Sequence, residues 1–594
     1  MAHMQKSVGL IPVFAVVAAL FSASLSSFGQ TNVTLSNPEA ANILAGNYDP
    51  AMYTPAVIIN EPDSVLHGII NGVSKDSLLS YLMHIDSFYQ RNSGSDTISS
   101  NYGIGAVRKW IFQKFGEFSS TNENRLVLTY MDFDRSICGK NHHKNVLAIL
   151  PGLDTTLNEI LIVEGHFDTR CESVCDTTCY TPGMEDNGSG TVLVMELARV
   201  MSRFAFNHTI VFANVTGEDQ GLYGARAFAK YVWDNNIPVM AVINNDVIGG
   251  IICGATSSPP SCPYMNNIDS THVRIFSYSQ SNDSSANSSH KQLVRYIRLH
   301  QEEDINPLLE TPMNINMIIR EDRVNRSGDH IPFREKGYRA IRFSSQNEHG
   351  NGTGTPPDRQ HTSNDILGLD LSVPPDGVLD TFFVDMGYLR RNAISNGVNL
   401  GYLAIAPPQP LPEFNPLPDG IEIAMIGNDT IYKHYRVGIR SQGSGTLYFD
   451  TVITFTDSIH FNITGLDPGK EYYFSVMNVE NGVESLISDE YTVLTVGMND
   501  YIKQNWGIWM DQNFPNPFSG ETEIRINVAS PHEMNDASLQ LTNPEGVVLQ
   551  QIPFNPGTGE NIVKIRPPAG YRGLIFTSLI VQGKVVQTNK MVVL

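Results

Sequence analysis

Three short apolar runs end in side chains of the kinds that ligate metals, and this pairing constrains the fold more than anything else in the chain. Ile160-Leu161-Ile162-Val163 leads into Gly165-His166-Phe167-Asp168, and Ile210-Val211-Phe212-Ala213 leads into Gly217-Glu218-Asp219-Gln220-Gly221. Val242-Ile243 runs into Asn244-Asn245-Asp246. Runs this short and this rich in β-branched residues read as buried strands. In α/β proteins, ligands bind where such strands leave the sheet, so the pattern predicts an α/β domain with a site at one edge.

Two further pieces complete the set: Met184-Glu185-Asp186-Asn187-Gly188, and Arg359-Gln360-His361-Thr362-Ser363. Zinc is held by imidazole nitrogen and carboxylate oxygen at about 2.0–2.2 Å, and a catalytic site keeps one position open. His166, Asp186, Asp219, Asp246 and His361 supply five such ligands. One zinc with an open position takes about three protein ligands, so five suggest two ions sharing a carboxylate, about 3.5–4 Å apart. Glu218 is then left over. A carboxylate beside the metals can take a proton from water and return it to a leaving amine, acting as general base and then general acid.

In this order the motifs H-x-D, G-x-x-D-N-G-S-G, G-E-D-Q-G-L-x-G, N-N-D and a late H-T-S resemble the secreted dizinc aminopeptidases. That family also contains plasma glutamate carboxypeptidase and the glutaminyl cyclases. The resemblance covers roughly residues 74–403 and implies a mixed α/β sheet with helices on both faces. Residue by residue, it implies Asp186 as the bridge, His166 and Asp246 on one zinc, Asp219 and His361 on the other, Glu218 as base, and Asp168 holding His166. The family usually has Glu-Glu where this chain has Glu218-Asp219. The shorter side chain requires either a closer backbone or a looser second zinc.

The implied activity is a zinc-dependent exopeptidase with two Zn2+ per chain, removing residues from the amino termini of peptides. Carboxypeptidase or dipeptidase action on the same site is the alternative. A glutaminyl cyclase would use a single zinc and would not need His166 and Asp246. A surface-binding protein with a lapsed site would not need the full ligand set.

At 594 residues the chain is too long for one domain, and a scale of roughly 100–200 residues per domain suggests three or four. A net charge of −21 argues against nucleic acid or an anionic membrane as partner, since both would repel it. Met1-Ala2-His3-Met4 reads as a cloning remnant, and the apolar run from Val8 to about Phe21 reads as a signal peptide ending before Gln30. The run falls short of the ~18 residues that a membrane span needs. Six cysteines in an exported chain fit three disulfides among 15 pairings. Cys253 and Cys262 flank Pro259-Pro260 and are the easiest pair, in which case Cys138 must reach Cys171, Cys175 or Cys179. A structural zinc on those last three is the less favoured reading.

The expected layout is a signal peptide over 1–29, an amino-terminal segment over 30–73 and a peptidase domain over 74–405. Segment 30–73 is expected to wrap the next domain or to be partly removed. Helices are expected from Ser74, from Gly105 and after Gly188-Ser189-Gly190, and a strand over Val146–Leu150. His142 and His143 read as exposed, and His330 as a packed or supporting histidine near the substrate. Residues 406–419 hold the proline-rich linker Ala406-Pro407-Pro408-Gln409-Pro410-Leu411-Pro412. Residues 420–497 alternate short strands with turns at Gly443-Ser444-Gly445 and Asp467-Pro468-Gly469, which suggests a β-sandwich. There, Leu466 to Val476 resembles the fibronectin type III pattern. Residues 510–594 open with Gln512-Asn513-Phe514-Pro515-Asn516-Pro517-Phe518 and resemble the sorting domain of the type IX secretion system. That resemblance implies the type IX machinery as partner and the surface or surroundings of a Gram-negative bacterium as destination.

Overall fold

A computed structural model describes residues 30–255, 262, 264–279, 287–324, 326–350, 358–417, 419–441, 447–495, 502–503, 506–529 and 536–594. The expected signal peptide, the Pro259-Pro260 turn and the Gly443-Ser444-Gly445 turn lie outside the described residues. The chain forms two compact units. The first comprises Met1–Pro410, His434–Arg436 and Val476–Asp489. The second comprises Leu411–Lys433, Val437–Ser475 and Glu490–Leu594.

The first unit is built on a nine-stranded mixed sheet. Its strands are β1 (Thr31–Leu35), β2 (Val127–Ile137), β3 (Lys140–Leu150), β4 (Ile160–His166), β5 (Ile210–Val215), β6 (Val239–Asn245), β7 (His272–Ser277), β8 (Asn314–Ile318) and β9 (Ala340–Ser345). They run in the order β1-β2-β3-β5-β4-β6-β9-β7-β8. The central four, β5, β4, β6 and β9, are mutually parallel. Every residue of β4, β5, β6 and β9 is buried, as strands covered on both faces must be, and their near-continuous apolar runs follow from that. Because these strands are parallel, their carboxyl ends share one edge. Register pairs His166 with Val215 and Glu164 with Asn244, so residues just past each strand emerge side by side.

Helices Lys75–Asp86 and Gly103–Thr121 form where the sequence predicts them, the first capped by Ser74 Oγ accepting from the Ser77 amide. Helix Ser189–Met201 follows Asp186 and is buried almost throughout. Its start passes so close to the sheet that a Cβ on Gly190 would lie 2.1 Å from the Asn245 carbonyl oxygen. Only glycine allows that approach.

The amino-terminal segment 30–73 belongs to this unit rather than lying apart from it. It adds β1 to the sheet edge by pairing with β2, and Ala40, Ile43 and Leu44 of helix Pro38–Leu44 enter a core with Leu147, Ile162 and Val211. The expectation of exposure for both His142 and His143 needs correcting. His142 is exposed, but His143 is buried at 4% exposure with Nε2 3.1 Å from the Arg135 carbonyl oxygen. The two alternate across β3, and neighbours in a strand face opposite sides.

All-β sheets follow. Residues 413–463 include a three-stranded antiparallel sheet (Glu413–Leu417, Gly420–Ala424, His460–Ile463). A five-stranded sheet includes Glu471–Glu480. In the second unit, the three strands Ile508–Met510, Thr522–Val528 and Gly559–Ile565 and the four-stranded sheet of Ala537–Thr542, Val548–Phe554, Gly573–Val581 and Lys584–Val593 share one apolar core. Ile524 and Ile526 meet Leu539, Leu541, Ile575 and Leu579 in that core, which makes this region a β-sandwich. Residues 406–412 carry no regular secondary structure, and their prolines explain why.

Candidate metal centre

The shared edge of the parallel strands assembles the residues that the sequence singled out. His166 ends β4, Glu218 and Asp219 lie just past β5, Asp246 directly follows β6, and Asp186 precedes helix Ser189–Met201. His361 comes from a turn and itself adopts left-handed backbone (φ 60°), a conformation uncommon for residues other than glycine.

His166 Nε2 lies 3.4 Å from Asp186 Oδ1 and 3.5 Å from Asp246 Oδ1. On the other side, His361 Nε2 lies 3.2 Å from Asp186 Oδ2 and 3.0 Å from Asp219 Oδ1. Asp186 thus presents one carboxylate oxygen to each histidine. His166, Asp186 and Asp246 form one triad whose donor atoms all lie within 4.8 Å of one another, and Asp186, Asp219 and His361 form a second.

The donor set fits divalent cations. His166 Nε2 and Asp219 Oδ2 are buried with no hydrogen-bond partner, a state costly for polar atoms unless something binds them. Burial opposes protonation of His361, yet Asp219 and Asp186 outweigh it and raise the imidazole to about 9. Several carboxylates packed together in this way demand positive charge.

Supporting contacts fix the donors. His166 Nδ1 faces the Asp168 backbone oxygen at 3.2 Å, with Asp168 Oδ1 farther off at 3.6 Å. The Asp168 carboxylate also accepts from the backbone amides of Glu218 (3.2 Å) and Asp219 (3.3 Å). It therefore positions both the histidine and the loop after β5. Burial pushes the Glu218 carboxyl up to about 8, and Glu218 lines a cavity of about 410 Å³ with Asp186, Asp219, Asp246 and His361. The shorter Asp219 does reach the cluster, and its Oδ1 also takes Arg170 Nε at 3.2 Å.

Several groups that shape the site carry no sequence motif. Asp365 accepts from the amides of Glu185 (2.9 Å) and Asp186 (3.0 Å). Asn187 Oδ1 accepts from the amides of Gly190 and Val247, and its Nδ2 donates to the Asn245 carbonyl, which clamps the loop against β6. Fully buried Arg91 donates Nε to the Phe167 carbonyl at 2.8 Å and Nη2 to that of Gly183 at 3.0 Å, joining the segments that carry Asp168 and Asp186. Arg342 Nη2 reaches Asp246 Oδ2 at 3.0 Å. It alone could have been suspected, as a charged residue inside the apolar run Ala340-Ile341-Arg342-Phe343. His330 is buried with Nε2 3.0 Å from the Glu321 carbonyl oxygen and does not line the cavity.

Three disulfides pin the neighbourhood: Cys138–Cys175, Cys171–Cys179 and Cys253–Cys262. The first two anchor the loop between β4 and Asp186.

Sequence relatives agree with this chemistry. Residues 145–370 match the model of peptidase family M28. A probable zinc metalloprotease of Leptosphaeria maculans is 29% identical over 368 residues, covering 59% of this chain and 78% of the relative. A second, from Pyricularia oryzae, is 29% identical over 393 residues, covering 64% of this chain and 74% of its own. Among solved structures, the Legionella pneumophila LapA aminopeptidase aligns with a TM-score of 0.40 at 16% identity, over 59% of this chain and 77% of that one. The chain is a hydrolase, a metallopeptidase, and its residues 145–370 are similar to peptidase family M28.

Proposed function

We propose that the enzyme is an extracellular aminopeptidase that uses two zinc ions. The observation that carries this reading is the placement of the two Asp186 oxygens, 3.4 Å from His166 Nε2 and 3.2 Å from His361 Nε2, as expected of a carboxylate shared between two cations. His166 and Asp246 would hold one ion, Asp219 and His361 the other, with Asp186 common to both. Bound zinc supplies Lewis acidity, lowering the pKa of water and polarising a carbonyl.

The chain's own groups do the rest. Asp168 fixes the His166 ring through its backbone oxygen, so that Nε2 faces the cluster, as metal-binding histidines require. The Glu218 carboxylate takes the proton from the attacking water and delivers it to the leaving amine nitrogen. Burial raises its pKa, and cations beside it would lower it again, leaving the carboxylate ionised to accept that proton. With the zinc-loaded enzyme, hydrolysis of an aminoacyl reporter should fall to background in the presence of a chelator and return on adding zinc. Unchanged hydrolysis by fully demetallated protein would exclude the reading.

The disulfides support export, because three of them fit an oxidising compartment. Residues 420–497 are proposed as a fibronectin type III-like module, and 510–594 as a sorting domain read by type IX secretion machinery, with release or attachment at the cell surface. In a type IX-competent bacterium, deletion of 510–594 should leave the peptidase in the periplasm. Equal export with and without that region would refute the assignment.

A further inference from the structure

Asp219 carries the shorter side chain of the Glu218-Asp219 pair, and three contacts hold it. Its backbone amide donates to Asp168 Oδ2 at 3.3 Å. Its Oδ1 lies 3.0 Å from His361 Nε2 and accepts from Arg170 Nε at 3.2 Å. Its Oδ2 is buried with no hydrogen-bond partner. The last torsion of an aspartate side chain is broad and two-fold, so a carboxylate left to itself turns easily. With Oδ1 engaged by Arg170, the carboxylate is kept from turning.

Arg170 is itself held. Its Nη1 donates to the carbonyl oxygens of Cys171 and Glu172 at 3.3 and 3.4 Å, and its own carbonyl accepts from Thr181 Oγ1 at 3.1 Å. The disulfide Cys171–Cys179 closes the loop that begins at the next residue. A guanidinium already anchored in this way loses little further freedom in holding a carboxylate. The same stretch after β4 carries His166, which belongs to the other triad. It therefore contributes a ligand to one cluster and, through Asp168 and Arg170, supports a ligand of the second.

Two effects of Arg170 oppose each other. A group that supports a metal ligand is worth about 10- to 100-fold in affinity, whereas a guanidinium repels a nearby cation. The Arg170 side chain is 18% exposed, so water weakens the repulsion, while the contact with Asp219 is direct. We propose that Arg170 is a positioning residue for the ion held by Asp219 and His361: it fixes the Asp219 carboxylate, and the affinity of that ion alone depends on it. This inference rests on the two-zinc reading of the site.

The test strips the full-length protein of metal and titrates it with zinc in competition with a chromophoric chelator, which reads affinity without any substrate. Arg170→Gln should loosen one of the two ions by about 10- to 100-fold and leave the other within about threefold. Arg170→Lys keeps a charged donor but loses the planar fork, so it should loosen the same ion less, by at least about threefold. It stands in if the glutamine variant does not fold. His361→Ala protein keeps the ion of His166 and Asp246, and in that background Arg170→Gln should change nothing. Two ions held as tightly as in the unaltered protein, or more tightly, would overturn the proposal. So would equal loosening of both ions, or a loss in the His361→Ala background. An unaltered protein that takes up fewer than two ions would instead remove the two-zinc reading, and the proposal with it.

Discussion

Replacing Glu218 with glutamine should lower kcat by about 100- to 10,000-fold, the range typical of losing a positioned general base, while both metals remain bound. Glutamine keeps the size of the side chain and its hydrogen-bonding ability but cannot accept the proton of the attacking water. Glu218 lines the cavity beside Asp186, Asp219 and Asp246, yet it is in neither of the triads that join those aspartates to His166 and His361. Its substitution should therefore separate chemistry from metal binding. Burial raises its carboxyl to about 8, and cations beside it would pull that value down and keep the base ionised at neutral pH. Steady-state kinetics together with metal analysis of the purified variant decides the matter. Near-normal turnover would eliminate Glu218 as the base.

Loss of Asp186 should be more damaging to metal binding than loss of any other ligand, because both clusters depend on it. Asp186→Ala removes the atoms at 3.4 Å from His166 and at 3.2 Å from His361 in one step. Disturbing groups that merely support a ligand costs about 10- to 100-fold in metal affinity, so deleting the shared ligand should cost more than about 100-fold, with hydrolysis lost alongside. His361→Ala should weaken only the ion held with Asp219 and leave the one held by His166 and Asp246. Atomic absorption after dialysis against buffers of fixed free zinc would distinguish the two variants. Two tightly held ions in Asp186→Ala would refute the shared-carboxylate arrangement.

The central strands and most of the side chains that meet at the cavity could be read from the chain because they are local signals. The buried strands β4, β5 and β6 need uninterrupted apolar residues, and His166, Asp219 and Asp246 sit at or just past their ends, so strand and donor appear in one stretch of sequence. Asp168 was also legible, although the backbone oxygen of Asp168, rather than its carboxylate, lies closest to His166 Nδ1. Segment 30–73 was not. Its strand β1 is held by pairing with β2 about a hundred residues away, and a five-residue edge strand with partial exposure leaves little periodicity.

The sequence by itself determined the kind of chemistry available: which side chains could bind cations, which acid was spare, and that three of the pieces lay at strand ends. Only the tertiary structure decided their company. The pairing of Cys138 with Cys175, the clamp of Arg91 on the Phe167 and Gly183 carbonyls, the hold of Asp365 on the Asp186 loop and the reach of Arg342 to Asp246 join residues far apart in the chain. Such contacts depend on how strands are ordered in the sheet, and no offset along the chain encodes that order.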